Sequence, residues 1–169
     1  MFSDKSSDIL TVAAIKNGLN TKVIGNKVII CETVSSTMDI ARNEVGSGTP
    51  EGMAIFAEHQ TAGKGRRNRV WVSPPKSGLL VTVILRPKIK SDKICYLMGI
   101  SSIALTETIH HLFNISANVK WPNDINIGNK KVAGILIEAH GSWNEELAFS
   151  IGIGINVNLT EDELPKQVL

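Results

Sequence analysis

Short apolar runs separated by turn residues fill the second half of this chain and constrain its fold most strongly. Three strand candidates follow one another, with the sequences NVKWPNDINI (118–127), KKVAGILIEAHG (130–141) and ELAFSIGIGINVNL (146–159). The segment IGNKK (127–131) between the first two has the Gly-Asn pair of a tight β-hairpin. Strands that follow each other through tight turns pair antiparallel, so this half predicts an antiparallel sheet.

The first half adds further strands and most of the helical signal. Strands are predicted at 27–32, 53–58 and 78–87, and the last run is so continuously apolar that we expect both its faces to be covered. Helices are predicted at Asp8–Lys16, at Thr37–Val45 after a capping box formed by Ser36 and Asp39, and at Asp92–Phe113. The fold class is therefore α+β, a mixed and largely antiparallel sheet with helices packed on one face.

The composition is typical of a single globular domain. With 169 residues, 43% hydrophobic and 20% charged, residues 1–169 are predicted to form one domain. Cys31 and Cys95 lie outside any CxxC motif, so we expect two buried thiols in a reducing compartment. The N-terminus resembles no signal peptide and no segment is long and apolar enough to span a membrane, which predicts a cytoplasmic protein without membrane contact.

The segment QTAGKGRRNRVW (60–71) concentrates four cations in six residues of a chain whose net charge is only +2. Gly63 and Gly65 let the backbone approach an anion closely, and arginine forks bind phosphate oxygens with two hydrogen bonds. The loop is therefore a candidate phosphate site that we expect to be mobile until an anion binds. A solvated surface loop, or a nucleic-acid patch in which Trp71 stacks on a base, are the alternatives.

Three shorter motifs supply further polar groups. In KWPND (120–124), Asn123 and Asp124 can bind a phosphate, a ribose or Mg²⁺, or can simply belong to a turn that reverses the chain. In KKVAGILIE (130–138), strand alternation places Lys131 on the face opposite to Gly134, and Lys131 is either a phosphate ligand or an ordinary hairpin lysine. In GIGINV (152–157), two glycines leave room for a flat group.

Read in order, these motifs closely resemble the catalytic domain of biotin protein ligases. The resemblance rests on SST, QTAGKGRRNRVW, KWPND, KVAGILIE and GIGIN, and it runs from about residue 29 to residue 159. It implies a fold like that of class II aminoacyl-tRNA synthetases. It also implies a two-step reaction in which Mg·ATP activates biotin as biotinyl-5′-AMP and a lysine of a biotin carboxyl carrier domain then takes the biotin. The alternatives are a non-catalytic biotin-binding module and a lipoate or octanoyl ligase.

The resemblance also implies roles for individual residues. Biotin would be bound by Ser36, Thr37, Gln60, Gly63, Lys64, Gly65, Arg66, Lys131 and Gly134. ATP and the adenylate would be bound by Arg66, Arg69, Trp71, Asn123, Asp124, Lys131 and Asn156. Asp124 would also hold Mg²⁺, and the catalytic residues would be Lys131, Arg66 and Lys64, with Lys131 as the first choice.

The sequence departs from the family pattern at three positions, Met38 for Asn, Lys64 for Arg and Asn68 for Gly. Only about 30 residues precede the first strand, so we expect no DNA-binding domain and no nucleic-acid partner. The resemblance implies further helices and an SH3-like domain after Leu169, so we expect this sequence to be either a fragment or a shortened form. The resemblance further implies a homodimer formed through an exposed sheet edge.

Overall fold

A seven-stranded sheet forms the centre of the protein, whose computed structural model describes residues 10–89, 93–141 and 147–160. The strands are β1 (Val28–Val34), β2 (Ala54–Gln60), β3 (Gly78–Leu85), β4 (Asn118–Lys120), β5 (Asp124–Ile127), β6 (Lys130–His140) and β7 (Ala148–Asn156). Their order across the sheet is β1-β2-β3-β7-β6-β5-β4. The β1–β2 pair is parallel and every other pair is antiparallel. The mixed, largely antiparallel sheet predicted from the sequence is confirmed.

Three helices accompany the sheet, namely α1 (Val12–Lys16), α2 (Thr37–Gly46) and α3 (Cys95–Phe113). The predicted starts at Asp8 and Asp92 lie outside the described residues. Helix α3 ends where Asn114 adopts a left-handed conformation with φ 54°. None of the helices in the described part of the chain is both long enough and apolar enough to cross a membrane.

Helix α2 connects the two parallel strands, β1 and β2. Ser36 caps it by accepting a hydrogen bond from the backbone N–H of Met38. The reciprocal half of the predicted capping box does not form, because the Asp39 carboxylate accepts from Ser35 and binds Lys64 instead. The first turn of α2 is thereby connected to the segment QTAGKGRRNRVW (60–71), the basic loop.

Helices α2 and α3 pack on opposite faces of the sheet. Ala41 of α2 packs with Ile55 and Ile84. Leu105 and Ile109 of α3 instead belong to a cluster with Ile125, Ala133, Ile135 and Ile151. The helices therefore cover both faces rather than the one face expected, because the central strands carry apolar side chains on both faces. Strand β3 follows the same rule, with one face fully buried and the other half-buried.

Two tight reversals shape the edge of the sheet formed by β4, β5 and β6. The predicted strand at 118–127 is in fact the pair β4 and β5, between which the chain reverses at Trp121–Pro122, joined by a cis peptide bond. The predicted Gly-Asn hairpin lies between β5 and β6, with Gly128 at φ 57°. The thiols differ from expectation, since Cys31 is half-buried and Cys95 is exposed on the first turn of α3.

Candidate functional site

A cavity of about 320 Å³ opens on the α2 side of the sheet. It lies between the start of α2, the basic loop and the β4–β5 reversal, and its volume is at the lower end of the range of small-molecule sites. Every predicted site residue except Gly63 and Asn156 lines it. Gly63 lines a neighbouring depression on the other side of the loop. Asn156 pairs with Gly78 at the end of β7 and is not among the lining residues.

One end of the cavity is neutral, polar and well buried. Gln60 Oε1 accepts hydrogen bonds from the Thr37 N–H at 2.7 Å, from Thr37 Oγ1 at 2.9 Å and from Ser36 Oγ at 3.3 Å. Three donors on one oxygen fix the orientation of the amide, and its NH₂ group remains as a donor. Fully buried Thr82 of β3 donates to Thr37 Oγ1 at 2.8 Å.

Thr82 contributes to the hydrogen bonds at this end of the cavity, although the sequence analysis assigns it no role. It is the single hydroxyl residue on the buried face of β3, between Leu80 and Ile84. Threonine is common in strands, so a threonine at this position does not by itself indicate a functional role. The available signal was a polar group on an otherwise apolar strand face, where a hydrogen-bond partner is required.

The basic loop is closed at its base by hydrogen bonds. Trp71 N–H donates to the Gly63 carbonyl at 2.9 Å, and Gly65 N–H donates to Arg69 at 2.8 Å. A side chain at Gly63 would collide with the Trp71 carbonyl. Asn68 adopts φ 59°, a left-handed conformation that asparagine tolerates better than most residues, so its replacement of glycine is accommodated.

Two contacts connect this loop to opposite rims of the cavity. Lys64 forms an ion pair with Asp39 on α2. Arg66 Nη1 donates to Asn123 Oδ1 at 3.0 Å on the β4–β5 reversal. Asn123 is in turn held by β6, because its Nδ2 donates to the Ile135 carbonyl at 3.3 Å. The loop thus crosses the cavity, and its expected mobility before anion binding stays a prediction.

The indole of Trp71 covers the glycine floor of the cavity. An added Cβ at Gly154 would lie 2.5 Å from Trp71 Cε2, and one at Gly134 would lie 2.8 Å from Cζ3. The flat group expected above the GIG motif is therefore this indole over Gly154, while the Met38 thioether lies over Gly152. Trp71 Nε1 is buried beside Gly154 and has no hydrogen-bond partner within the described ranges.

Lys131 enters the cavity because β6 is irregular. A register shift pairs Asn126 with Lys131 after Ile125 has paired with Ala133. This bulge turns Lys131 to the face of Gly134, whose added Cβ would lie 3.4 Å from Lys131 Nζ. The alternation predicted from the sequence, which separated the two residues, is therefore wrong. Lys131 Nζ lies 2.7 Å from Asp124 Oδ1 and 5.4 Å from the Trp71 ring centroid.

The lining of the cavity is strongly cationic. Its charged residues are Lys64, Arg66, Arg67, Arg69, Lys120, Lys131 and a single carboxylate, Asp124. The segment KWPND, for which a chain reversal and a ligand site are the alternatives, makes the reversal and also lines the cavity. Cations converging on a pocket with a neutral polar end suit a ligand that is uncharged at one end and anionic at the other.

Asp39 lies outside this lining but next to it. A hydrogen bond from Lys64 is the main cause that lowers the pKa of the Asp39 carboxyl, opposed by partial burial and assisted by Ser35. Among the described residues, no group of three or more His, Cys, Asp or Glu side chains could hold a metal ion.

Comparisons with known proteins agree on one family. Residues 30–158 match the Biotin/lipoate A/B protein ligase family. The chain is 38% identical over 159 residues to the bifunctional ligase/repressor BirA of Bacillus spizizenii, a match that covers 94% of this chain and 49% of that protein. The chain thus spans about half the length of the curated relatives it matches.

Solved structures with the same fold hold relevant ligands. The biotin protein ligase of Aquifex aeolicus in complex with biotin and ATP aligns with a TM-score of 0.70 and 30% identity, covering 85% of this chain and 56% of that one. The Leishmania major enzyme in complex with biotinyl-5-AMP aligns with a TM-score of 0.68 and 30% identity, covering 79% and 58%. By sequence and by fold, this chain belongs to the Biotin/lipoate A/B protein ligase family.

Proposed function

We propose that residues 1–169 form the catalytic domain of a biotin protein ligase. The observation that carries this proposal is the division of one cavity into a neutral hydrogen-bonding end and a cationic end. Biotin has the matching form, since its ureido ring is neutral and its carboxylate is anionic. The relatives solved with biotin, ATP and biotinyl-5-AMP support the same assignment.

In the first step, the ureido ring would bind to Ser36, Thr37 and Gln60. The biotin chain would run alongside the Trp71 indole, which covers Gly134, and this would bring its carboxylate toward Lys131 and Arg66. A carboxylate oxygen attacks the α-phosphorus of ATP, and pyrophosphate leaves with the electrons of the broken P–O bond. Fixed cations would stabilise the negative charge that gathers on the phosphate oxygens. The cavity thus serves mainly to position two anions beside each other.

In the second step, a lysine amine of the carrier domain attacks the carbonyl carbon of biotinyl-5′-AMP. An amide forms, AMP leaves as an anion, and the ammonium loses its proton. Arg66, Arg69 and Lys131 would hold the leaving phosphate. Asn123 would position Arg66 through their hydrogen bond, and Trp71 would lie close to the adenine. Asn156 would help to hold the nucleotide only from the end of β7, outside the cavity lining.

The cavity offers Mg²⁺ a single protein carboxylate. Mg²⁺ commonly binds through one or two carboxylates together with substrate phosphates, and Asp124 is the single carboxylate of the lining. When bound with ATP, Mg²⁺ would neutralise part of the phosphate charge. Asp124 also binds Lys131, so it would have to share its two oxygens between the ammonium and the metal.

The setting of the reaction forms part of the proposal. The acceptor would be a biotin carboxyl carrier domain, and ATP dependence favours the cytoplasm. Strands β1 and β4 form the two edges of the sheet, and either edge offers unpaired backbone groups for a homodimer. The prediction that the protein binds no nucleic acid stays a prediction.

Incubation of the purified chain with biotin, Mg·ATP and a carrier domain tests the function. We expect release of pyrophosphate and a mass increase of the carrier, and no mass increase for a carrier whose acceptor lysine is replaced by arginine. Binding of biotin without pyrophosphate release would show a non-catalytic module. Labelling by lipoate in preference to biotin would place the chain in the other branch of its family.

A further inference from the structure

The ion pair between Asp39 and Lys64 lies at the point where the basic loop leaves the protein body. Lys64 forms an isolated bridge with Val70, directly above the hydrogen bond that joins Gly63 and Trp71. It is therefore the first residue of the loop proper. An ion pair at this position joins the start of the loop to α2, so it restrains the residues of the loop that follow.

Asp39 is itself firmly held. Ser35 Oγ donates to its Oδ2 at 3.1 Å, and Arg42 Nη1 lies 3.5 Å from its Oδ1. Arg42 also forms an ion pair with Glu138 of β6, in which Arg42 Nη2 lies 2.7 Å from Glu138 Oε2. The chain of charges from Lys64 to Glu138 thus joins the loop, α2 and β6 into one unit.

The same pair occupies the Lys64 ammonium. The ammonium is bound to a carboxylate outside the cavity lining, although Lys64 itself lines the cavity as Arg66 and Lys131 do. A loop with several cations repels itself, and this repulsion favours opening unless a fixed anion opposes it. Asp39 is the carboxylate at the loop hinge.

We infer that Asp39 is a positioning residue that holds the basic loop over the cavity through Lys64, and that Lys64 acts on the loop rather than on phosphate. This inference rests on the proposed function as far as the retained ligand is concerned. The loop would slow the escape of biotinyl-5′-AMP before the carrier lysine reaches it. It revises the role of Lys64, which the resemblance places among the catalytic residues.

Two readouts test the inference. Trypsin cleavage after Arg66, Arg67 and Arg69 reports opening of the loop without any catalytic step, and dissociation of chemically prepared biotinyl-5′-AMP reports retention. An ion pair with this exposure contributes up to about 1 kcal/mol. We therefore expect Asp39→Asn and Lys64→Met each to raise both rates by about two- to fivefold. The double variant should add nothing further.

Asp39→Glu keeps the carboxylate and should restore both rates to nearly the original values. Lys27→Met is the matched control, since it removes an exposed ion pair with Glu44 on the same helix but far from the loop. It should leave both rates unchanged. At 1 M salt, screening should bring the rates of the original protein and Asp39→Asn together.

Two outcomes overturn the inference. In the first, Asp39→Asn leaves loop cleavage at the original rate. In the second, Lys64→Met slows adenylate formation more than tenfold while Asp39→Asn does not, which would place Lys64 on the phosphoryl group. If the original protein forms no adenylate at all, the proposed function fails, and the cleavage assay still decides whether Asp39 holds the loop.

Discussion

Lys131 and Asp124 face each other across neighbouring strands, with Nζ 2.7 Å from Oδ1, inside the cationic cavity. The contact exists because the β6 bulge turns Lys131 toward β5. A carboxylate partner fixes the ammonium and limits its repulsion from the nearby guanidinium groups. When phosphate enters, the ammonium can bind both anions, so the pair holds the cation in place for the reaction.

Replacement of Lys131 by alanine should slow adenylate formation by about 10²- to 10³-fold, because a fixed charge is needed most where negative charge develops. Biotin affinity should change little, since the ureido ring would bind at the other end of the cavity under the proposed function. Pyrophosphate release and biotin titration measure the two effects separately. Lys130→Ala, one residue earlier on the exposed hairpin, is the control. Equal losses in rate and affinity would contradict this role.

Replacement of Thr82 by valine should impair ring binding without harming the chemistry. Valine has almost the same shape but cannot donate to Thr37 Oγ1, so the hydroxyl network on Gln60 loses its outer support. We expect the biotin KM to rise by about three- to tenfold with kcat nearly unchanged. Thr108→Val, on the exposed side of α3, makes the same chemical change away from the site. A fall in kcat alone would mean that Thr82 does not act on the ring.

Replacement of Gly154 by alanine should displace the Trp71 indole. The new methyl would lie 2.5 Å from Cε2, and overpacking of this kind costs about 1–3 kcal/mol. Tryptophan fluorescence should change and the KM for biotin should rise by about tenfold or more. Gly99→Ala on α3 meets no atom within 4 Å and should stabilise the protein by about 0.5–1 kcal/mol. Unchanged fluorescence and KM in Gly154→Ala would show that the indole is not confined there.

Strand positions could be predicted because apolar runs and turn residues are local features. The Gly128–Asn129 hairpin and the start of β3 at Gly78 needed only neighbouring residues. The side on which α3 packs could not be predicted, because its apolar residues surround the helix and Ile100 and Ile103 remain exposed. Periodicity selects a face only where polar residues occupy the other one.

The site residues were predicted through the order of motifs, and the errors concern contacts between distant segments. Strand alternation predicts the wrong face for Lys131, because a bulge interrupts the alternation without any sign in the sequence. The sequence predicts Asp39 only as part of a helix cap, since its partner Lys64 lies 25 positions further along the chain. Local sequence carries no information about such a pair until the fold brings the segments together.

Stability should fall as the pH drops below about 6.5, and His140 should account for part of this dependence. Burial is the main cause that lowers the pKa of His140 from its ordinary value of 6.5; Glu138 opposes the shift and Arg42 assists it. The unfolded chain therefore binds a proton more readily than the folded protein does. The contribution is complete above pH 6.5 and is lost as the pH falls toward the lower pKa of the folded state.

His140→Gln removes the titrating ring while an amide can still reach Ser150, which lies 2.8 Å from His140 Nε2. Urea unfolding of both proteins between about pH 5 and pH 8 measures the difference. His59, His110 and His111 remain in both, so the comparison isolates His140. The variant should lose less stability than the original protein over this range. Parallel curves would mean that His140 gains its proton equally well in the folded and unfolded states, and burial would then not control its titration.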